Sequence, residues 1–217
     1  MGLLSLAIWT PIAFGVLLLA LGRDDQAKSV RWFALLGSLI SLLVTLPLYG
    51  GFELGTADLQ FVEKLVRIER FNVNYHLGVD GISLWFVLLT AFITVIVVIA
   101  GWEVITEQVH QYMGAFLILS GLMVGVFCAL DGMLFYVFFE ATLIPMYLII
   151  GVWGGPQRIY AAFKFFLYTL LGSLLMLVAL IYLYIASEGS FDLATWHHLP
   201  LASTPQTLLF FAFFAAF

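Results

Sequence analysis

One carboxylate stands where charge is hard to keep. Glu140 is the only charged residue in Met133–Val152 (MLFYVFFEATLIPMYLIIGV), a run of 20 residues. At ~1.5 Å per residue that run is long enough for a helix to cross the ~30 Å hydrocarbon core of a bilayer. Glu140 then lies about 10 Å below the start of the run, too deep for so short a side chain to snorkel out. An ionised group at that depth costs roughly 3 kcal/mol or more, so it faces a bundle interior, a partner or a water path. On a 3.6-residue helix Tyr136 (i−4) and Tyr147 (i+7) share its face. Pro145 has no N–H to give to the Ala141 carbonyl, which leaves an unpaired acceptor next to Glu140. Acid, phenols and a loosened carbonyl point to a hydrated proton site. The structural alternative is a protonated glutamate that hydrogen-bonds between helices.

A second titratable group, Lys164, opens the apolar part of a later segment, with Tyr168 and Gly172 following at i+4 and i+8. It reads either as a cation snorkelling to the interface or as part of the polar chain that feeds Glu140. Gly172-Ser173 reads as a close-packing point between helices. His76, His110, His197 and His198 all fall in connections or near helix ends. Neighbouring residues such as His197 and His198 point in different directions, which fits a solvated loop better than a metal site. The single cysteine, Cys128, sits in an apolar segment and reads as a buried, inert thiol. It excludes an intrachain disulfide and any cysteine-clustered zinc or iron–sulfur site. Glycine-rich phosphate loops, nucleophile elbows and HExxH are absent.

The elements that must position these residues are membrane helices. Of the 217 residues 64% are hydrophobic and only 10% charged, against roughly 25% charged in a soluble domain. Mean hydropathy is +1.11. The net charge of −5 is spread along the chain and gives no footprint for nucleic acid. The reading is all-α: a polytopic transmembrane bundle in a lipid bilayer, with six complete helices and the start of a seventh. They are expected at about 3–21, 32–49, 82–102, 112–130, 133–152, 157–186 and 207–217. The first is too long for a signal-peptide core and is read as a retained span.

Between these helices lie a basic connection, Gly22–Arg31, and a long polar one, Gly50–Gly81, with Glu53, Asp58, Glu63, Lys64, Arg67, Glu69, Arg70 and Asp80. Asp80 is expected to cap the third helix, and Asp131-Gly132 to turn tightly into the fifth. The loop Ser187–Gln206 is expected to be irregular. The last apolar stretch reaches only about halfway across a ~30 Å core, which reads as a fragment of a longer chain.

Two stretches carry a resemblance. DGMLFYVFFEATLIPMYLIIGVWGG with RIYAAFKFFLYTLLGSLLML (Asp131–Leu177), and HLGVDGISLWFVLLT (His76–Thr90), resemble the subunit M family (mitochondrial subunit 4) of type 1 NADH:quinone oxidoreductase, respiratory complex I. Glu140–Tyr147 (E-x-x-L-I-P-M-Y) is the specific part. The related subunits L and N and the Mrp-type Na⁺/H⁺ antiporter subunits share the helix-five glutamate.

The resemblance implies a fourteen-helix antiporter-like fold with two inverted five-helix repeats. Residues 1–217 would then be the N-terminal part of one membrane domain. Glu140 would pair with a lysine on a broken seventh helix, outside this sequence, and bias its protonation. Lys164 matches a lysine in the family's KFF segment. The implied function is proton translocation coupled to NADH oxidation and quinone reduction. The redox groups of such a complex (FMN, iron–sulfur clusters, quinone) are expected elsewhere, with no cofactor and no metal in this chain. Neighbours L and N are the expected partners, and a bacterial inner membrane is a better fit than a mitochondrial one. A subunit of an Mrp-type cation/proton antiporter is the alternative, and a membrane scaffold a weaker third.

Orientation follows from Arg and Lys in the short connections. With the N-terminus outside, Arg23, Lys28, Arg31 and Arg158 fall on the cytoplasmic side. The long second connection lies outside with Lys64, Arg67 and Arg70, but long loops weigh little. A single cysteine at Gln26 in a Cys128→Ser background should therefore resist impermeant thiol reagents in intact cells. Labelling of that cysteine from the outside reverses the topology.

Overall fold

The computed structural model describes residues 2–68 and 71–216, and of Val66 and Arg67 only the backbone. Glu69, Arg70 and Phe217 lie outside the described residues. Among the described residues, six helices are long and apolar enough to span a membrane. They are α1 (Leu3–Leu21), α2 (Ala27–Gly50), α3 (Ser83–Val104), α4 (Val109–Cys128), α5 (Gly132–Trp153) and α6 (Arg158–Ala186). The protein is an integral membrane protein, and the all-α reading holds for the bundle. Large apolar residues along the helices stay exposed, among them Trp85, Phe92, Leu167 and Leu171. In a bilayer that surface meets lipid instead of water.

The connections differ from the reading. Gly50–Gly81 holds a two-stranded hairpin, β1 (Gln60–Ile68) and β2 (Val73–Val79). The loop after α6 holds a short helix, α7 (Leu193–His197), and α8 (Ser203–Ala216) starts before the expected Thr207. Helix α2 is entered through a 3-10 turn, Asp24–Gln26, and begins ahead of the expected Trp32, so Lys28 and Arg31 lie inside it. Helix α4 is shifted towards the N-terminus of its expected range.

The chain divides into two compact units. Residues 1–63 and 77–128 form the first. There α1 packs most extensively on α4. Gly15 and Gly114 meet backbone to backbone: a Cβ on Gly15 would sit 2.7 Å from the Gly114 carbonyl oxygen, and one on Gly114 would sit 3.0 Å from that of Gly15. Leu18, Val30, Ala34, Val98, Met113 and Leu117 fill the space between α1, α2, α3 and α4. Glu63 on β1 accepts from Leu4 N at 2.8 Å, from Ser5 N and from the Ser5 hydroxyl, supplying the N-terminus of α1 with the acceptor its own Gly2 lacks. At the other end Arg31 donates to the Ile105 carbonyl, the C-cap of α3, at 2.9 Å, and His110 Nδ1 lies 2.9 Å from Asp24. Asp80 Oδ1 accepts from Ile82 N and Ser83 N at 3.1 and 2.7 Å, which is the expected cap of α3. The Ser83 hydrogen bond holds its carboxyl below the usual range. That cap therefore operates above the unfolded value and is lost only as pH falls through the lower folded one.

Residues 64–76 and 129–217 form the second unit, in which α5 packs on α6 and α6 on α8. Gly172 is the crossing point of α6 and α8, since a Cβ there would sit 2.7 Å from the Ala215 carbonyl oxygen. Asp131 does more than turn the chain. It is 1% exposed, its Oδ1 accepts from Met133 N (2.9 Å) and Leu134 N (3.0 Å), and its Oδ2 accepts from Asn74 N (2.9 Å) on β2. One carboxylate thus caps α5 and ties it to the hairpin.

Loss of that group orphans a buried N–H as well as the cap. Asp131→Ala should destabilise the protein by about 2–4 kcal/mol. Thermal unfolding in detergent reads it, and a change below about 0.5 kcal/mol, the size expected of an ordinary surface substitution, contradicts the role assigned to Asp131.

Candidate functional site

Helix α5 runs unbroken from its Asp131 cap through Pro145. Glu140 follows the cap by nine residues, about 13 Å along the axis. Its carboxyl is partly buried, and Oε1 is fully enclosed with no hydrogen-bond partner. One turn back on the same helix stands Tyr136, partly buried like the acid. Ser173 is fully buried and donates its own proton to the Leu170 carbonyl at 3.0 Å. The acid and a phenol thus lie one turn apart on α5, the helix that packs on α6.

The other expected residues fall elsewhere. Tyr147 packs edge-on against Phe163 and Phe166 of α6. Lys164 is exposed, with Nζ 5.9 Å from the Tyr160 ring centroid, and no ion pair joins it to Glu140. Tyr168 is 78% exposed. The reason is helical phase. Ala162, whose Cβ a Cβ on Gly151 of α5 would meet at 3.6 Å, lies two residues before Lys164, about 160° around the helix. The face that carries Lys164 is the opposite one, and this arrangement favours the interfacial reading of that lysine. Gly172-Ser173 is a close-packing point as expected, with Ser173 fully buried.

A second polar cluster lies at the start of α5. Leu130 N donates to the His76 carbonyl and Leu193 N to the Leu130 carbonyl. His76 Nδ1 lies 3.9 Å from Asp192, which caps α7 through Ala194 N. Burial lowers the affinity of His76 for a proton, against the pull of Asp192, while burial raises that of Asp131. His197 and His198 are exposed, and among the described residues no group of three or more His, Cys, Asp or Glu could hold a metal. Cys128 is buried, as expected.

Two family models cover the chain from residue 35 onward: NADH-ubiquinone oxidoreductase chain 4, amino terminus, over residues 35–129, and NADH:quinone oxidoreductase/Mrp antiporter, TM, over 129–217. NADH-quinone oxidoreductase subunit M of Rhodobacter capsulatus is 46% identical over 231 aligned positions, 99% of this chain and 44% of that protein. The chain belongs to the subunit M/chain 4 family of NADH:quinone oxidoreductases. It spans less than half the length of the curated subunit M relative it matches. Respiratory complex I from Thermus thermophilus contains a chain that superposes with a TM-score of 0.82 at 32% identity, over 98% of this chain and 43% of that one. An Mrp complex from a Dietzia species gives 0.80 at 17% identity, over 98% and 23%, which is a likeness of fold. Glu140 sits in the segment matched by the second model.

The His76 geometry has a measurable consequence. Its folded-state proton affinity is lowered, so the folded state binds fewer protons and stability falls as pH drops through and below the ordinary histidine value of 6.5. His76→Gln should flatten that acid limb in a pH series of thermal melts. An unchanged limb shows that His76 does not carry it.

Proposed function

We propose that this protein is a proton-translocating membrane subunit of an NADH:quinone oxidoreductase of the complex I type, coupling NADH oxidation and quinone reduction to proton movement. Glu140 carries the reading. It is the only charged residue of α5, and its Oε1 is buried without a partner. An acid at that depth in an apolar helix marks a functional position by default. Membership of the subunit M/chain 4 family supports the same reading. The redox chemistry, with its NADH, FMN, iron–sulfur and quinone sites, is assigned to other subunits. One cysteine cannot supply the thiolates that such clusters use. The proposed partners are the other membrane subunits of that complex, L and N first, in a bacterial inner membrane. An Mrp-type antiporter subunit is the second reading, supported by the shared fold and by a family model that spans both groups. Co-purification with NADH dehydrogenase activity separates the two.

The test is charge against shape. Glu140→Gln keeps size and hydrogen-bonding capacity but cannot ionise. In assembled complex it should lower NADH-driven proton uptake into vesicles at least about tenfold, while Glu140→Asp keeps part of the activity. Lys164→Ala should weaken uptake less than Glu140→Ala, because Lys164 reaches the interface and Glu140 does not. Near-normal uptake with Glu140→Gln ends the reading, and an equal or larger loss with Lys164→Ala reverses the ranking.

A further inference from the structure

We propose that the end of the helix pair where α5 stops and α6 starts binds an anionic phospholipid, with an acyl chain in the slot between the helices and the phosphate on Lys164. The slot measures about 320 Å³ and is lined by Ile144, Tyr147 and Leu148 of α5 and by Phe163 and Phe166 of α6. Tyr147 stands edge-on to both phenylalanine rings, at centroid distances of 5.8 and 5.6 Å, and ties the two walls together. Ile144, Leu148 and Phe163 stay exposed, so the slot opens on the outer surface of the pair. The Tyr147 hydroxyl is the one polar group among the five side chains, and such a lining suits hydrocarbon. A helix about 10 Å across is too broad to enter, whereas a single chain of methylenes is not.

The cation beside the slot decides what that chain carries at its head. Lys164 follows Phe163 directly and is exposed. Its Nζ lies 5.9 Å from the centroid of the Tyr160 ring, one turn nearer the start of α6, so the side chain reaches towards the interface. With 29 residues α6 is about 43 Å long, against a core of ~30 Å. Shared between the two ends, the surplus leaves Lys164, six residues in, roughly 3 Å inside the hydrocarbon border. An ammonium group on so long a stem is level with the phosphates of that leaflet. Arg158, the first residue of α6, adds a second positive charge and donates to the Val152 carbonyl at 2.6 Å. Among the described residues of α5, α6 and α8 the single acid is Glu140, a full turn deeper than Ile144. A positive mouth over an apolar interior matches the two ends of an anionic lipid. On the topology read from the short connections this is the cytoplasmic leaflet, the one with the negative surface.

The experiment uses membrane vesicles that hold the assembled complex. They receive phosphatidylglycerol with a photoreactive acyl chain or phosphatidylcholine with the same chain, and adducts are mapped by mass spectrometry after illumination. Adducts are expected on residues 144–148 and 163–166, about fivefold more with phosphatidylglycerol, the factor that one basic residue supplies. Lys164→Ala should erase that preference, and Lys164→Arg should keep it. Ile144→Trp, which fills the slot, should remove the adducts of both lipids there. The exposed Phe92, Ile93 and Ile96 of α3 give the level of unselective lipid contact. Labelling of the slot no stronger than theirs, or equal for the two headgroups, overturns the proposal. So does an unlabelled slot, which shows that another protein segment fills it. Unlabelled phosphatidylglycerol should displace the label, and displacement by inorganic phosphate instead marks a site for the free anion and overturns the lipid. If Lys164→Ala fails to assemble, the ratio of the two lipids in the unmodified complex decides. Proton uptake enters none of these readouts, so a failed Glu140→Gln test leaves their outcome untouched.

Discussion

A carboxylate shut away from solvent at the head of α5 is the constraint on which the second unit depends. Asp131 faces three backbone N–H groups, two from its own helix and one from the β2 strand. Each bond is to a charged acceptor, the strong kind. The three work against the desolvation cost without cancelling it, and burial still leaves the proton affinity of the group raised. Because the cap fixes where α5 begins, it also fixes the depth at which Glu140 enters the apolar layer, since a helix advances by a constant rise. The backbone bonds from Leu130 to His76 and from Leu193 to Leu130 extend the same knot to the loop after α6. The two ends of the α5–α6 pair are thus joined by polar contacts just where the apolar helices stop.

Within the helices the polar side chains follow a different rule. Ser41, Thr45, Thr90, Thr142 and Thr169 return their hydroxyls to carbonyls three or four residues back. A hydroxyl bonded in this way is neutralised and leaves the helix surface effectively apolar. Thr94 and Ser120 go further and join α3 to α4 at 2.8 Å. Against that background Glu140 is the exception: a carboxyl oxygen inside the layer with no donor. A fold that satisfies its hydroxyls so consistently leaves one acid unsatisfied, and that contrast is what marks the residue.

How much of this the sequence disclosed depends on the range of the interactions. The six spans were legible because each is a continuous apolar run, and Glu140 because it interrupts one. The hairpin was not. Gln60–Ile68 carries Glu63, Lys64 and Arg67, and those charges made a strand read as a solvated loop. Glu63 is in fact spent on the N-terminus of α1, 58 residues away from Ser5, and no local window contains that pairing. Asp131 read as a turn for the same reason, with Asn74 57 residues distant. The start of α2 was missed because Lys28 and Arg31 look like loop residues, although long cationic side chains sit comfortably in a helix end at the interface. Lys164 and Tyr168 were grouped correctly on one face, but helical periodicity alone does not say which face meets α5. Ala162 does, through its close approach to Gly151 of α5.

The backbone-to-backbone meeting of Gly15 and Gly114 bears on the order in which the bundle is built. Helix α1 ends at Leu21 and α4 starts at Val109. A ribosome working at about 5–20 residues per second needs roughly 5–20 s to make the stretch between them. For that time α1 resides in the bilayer without its most extensive neighbour, showing lipid or insertion machinery a groove that only α4 will fill. A small residue suits the interval, because Gly15 presents no knob to catch on the wrong helix while it waits. The first unit is therefore assembled by a late arrival locking onto an early one, and its integrity is settled only when the fourth span has entered the membrane.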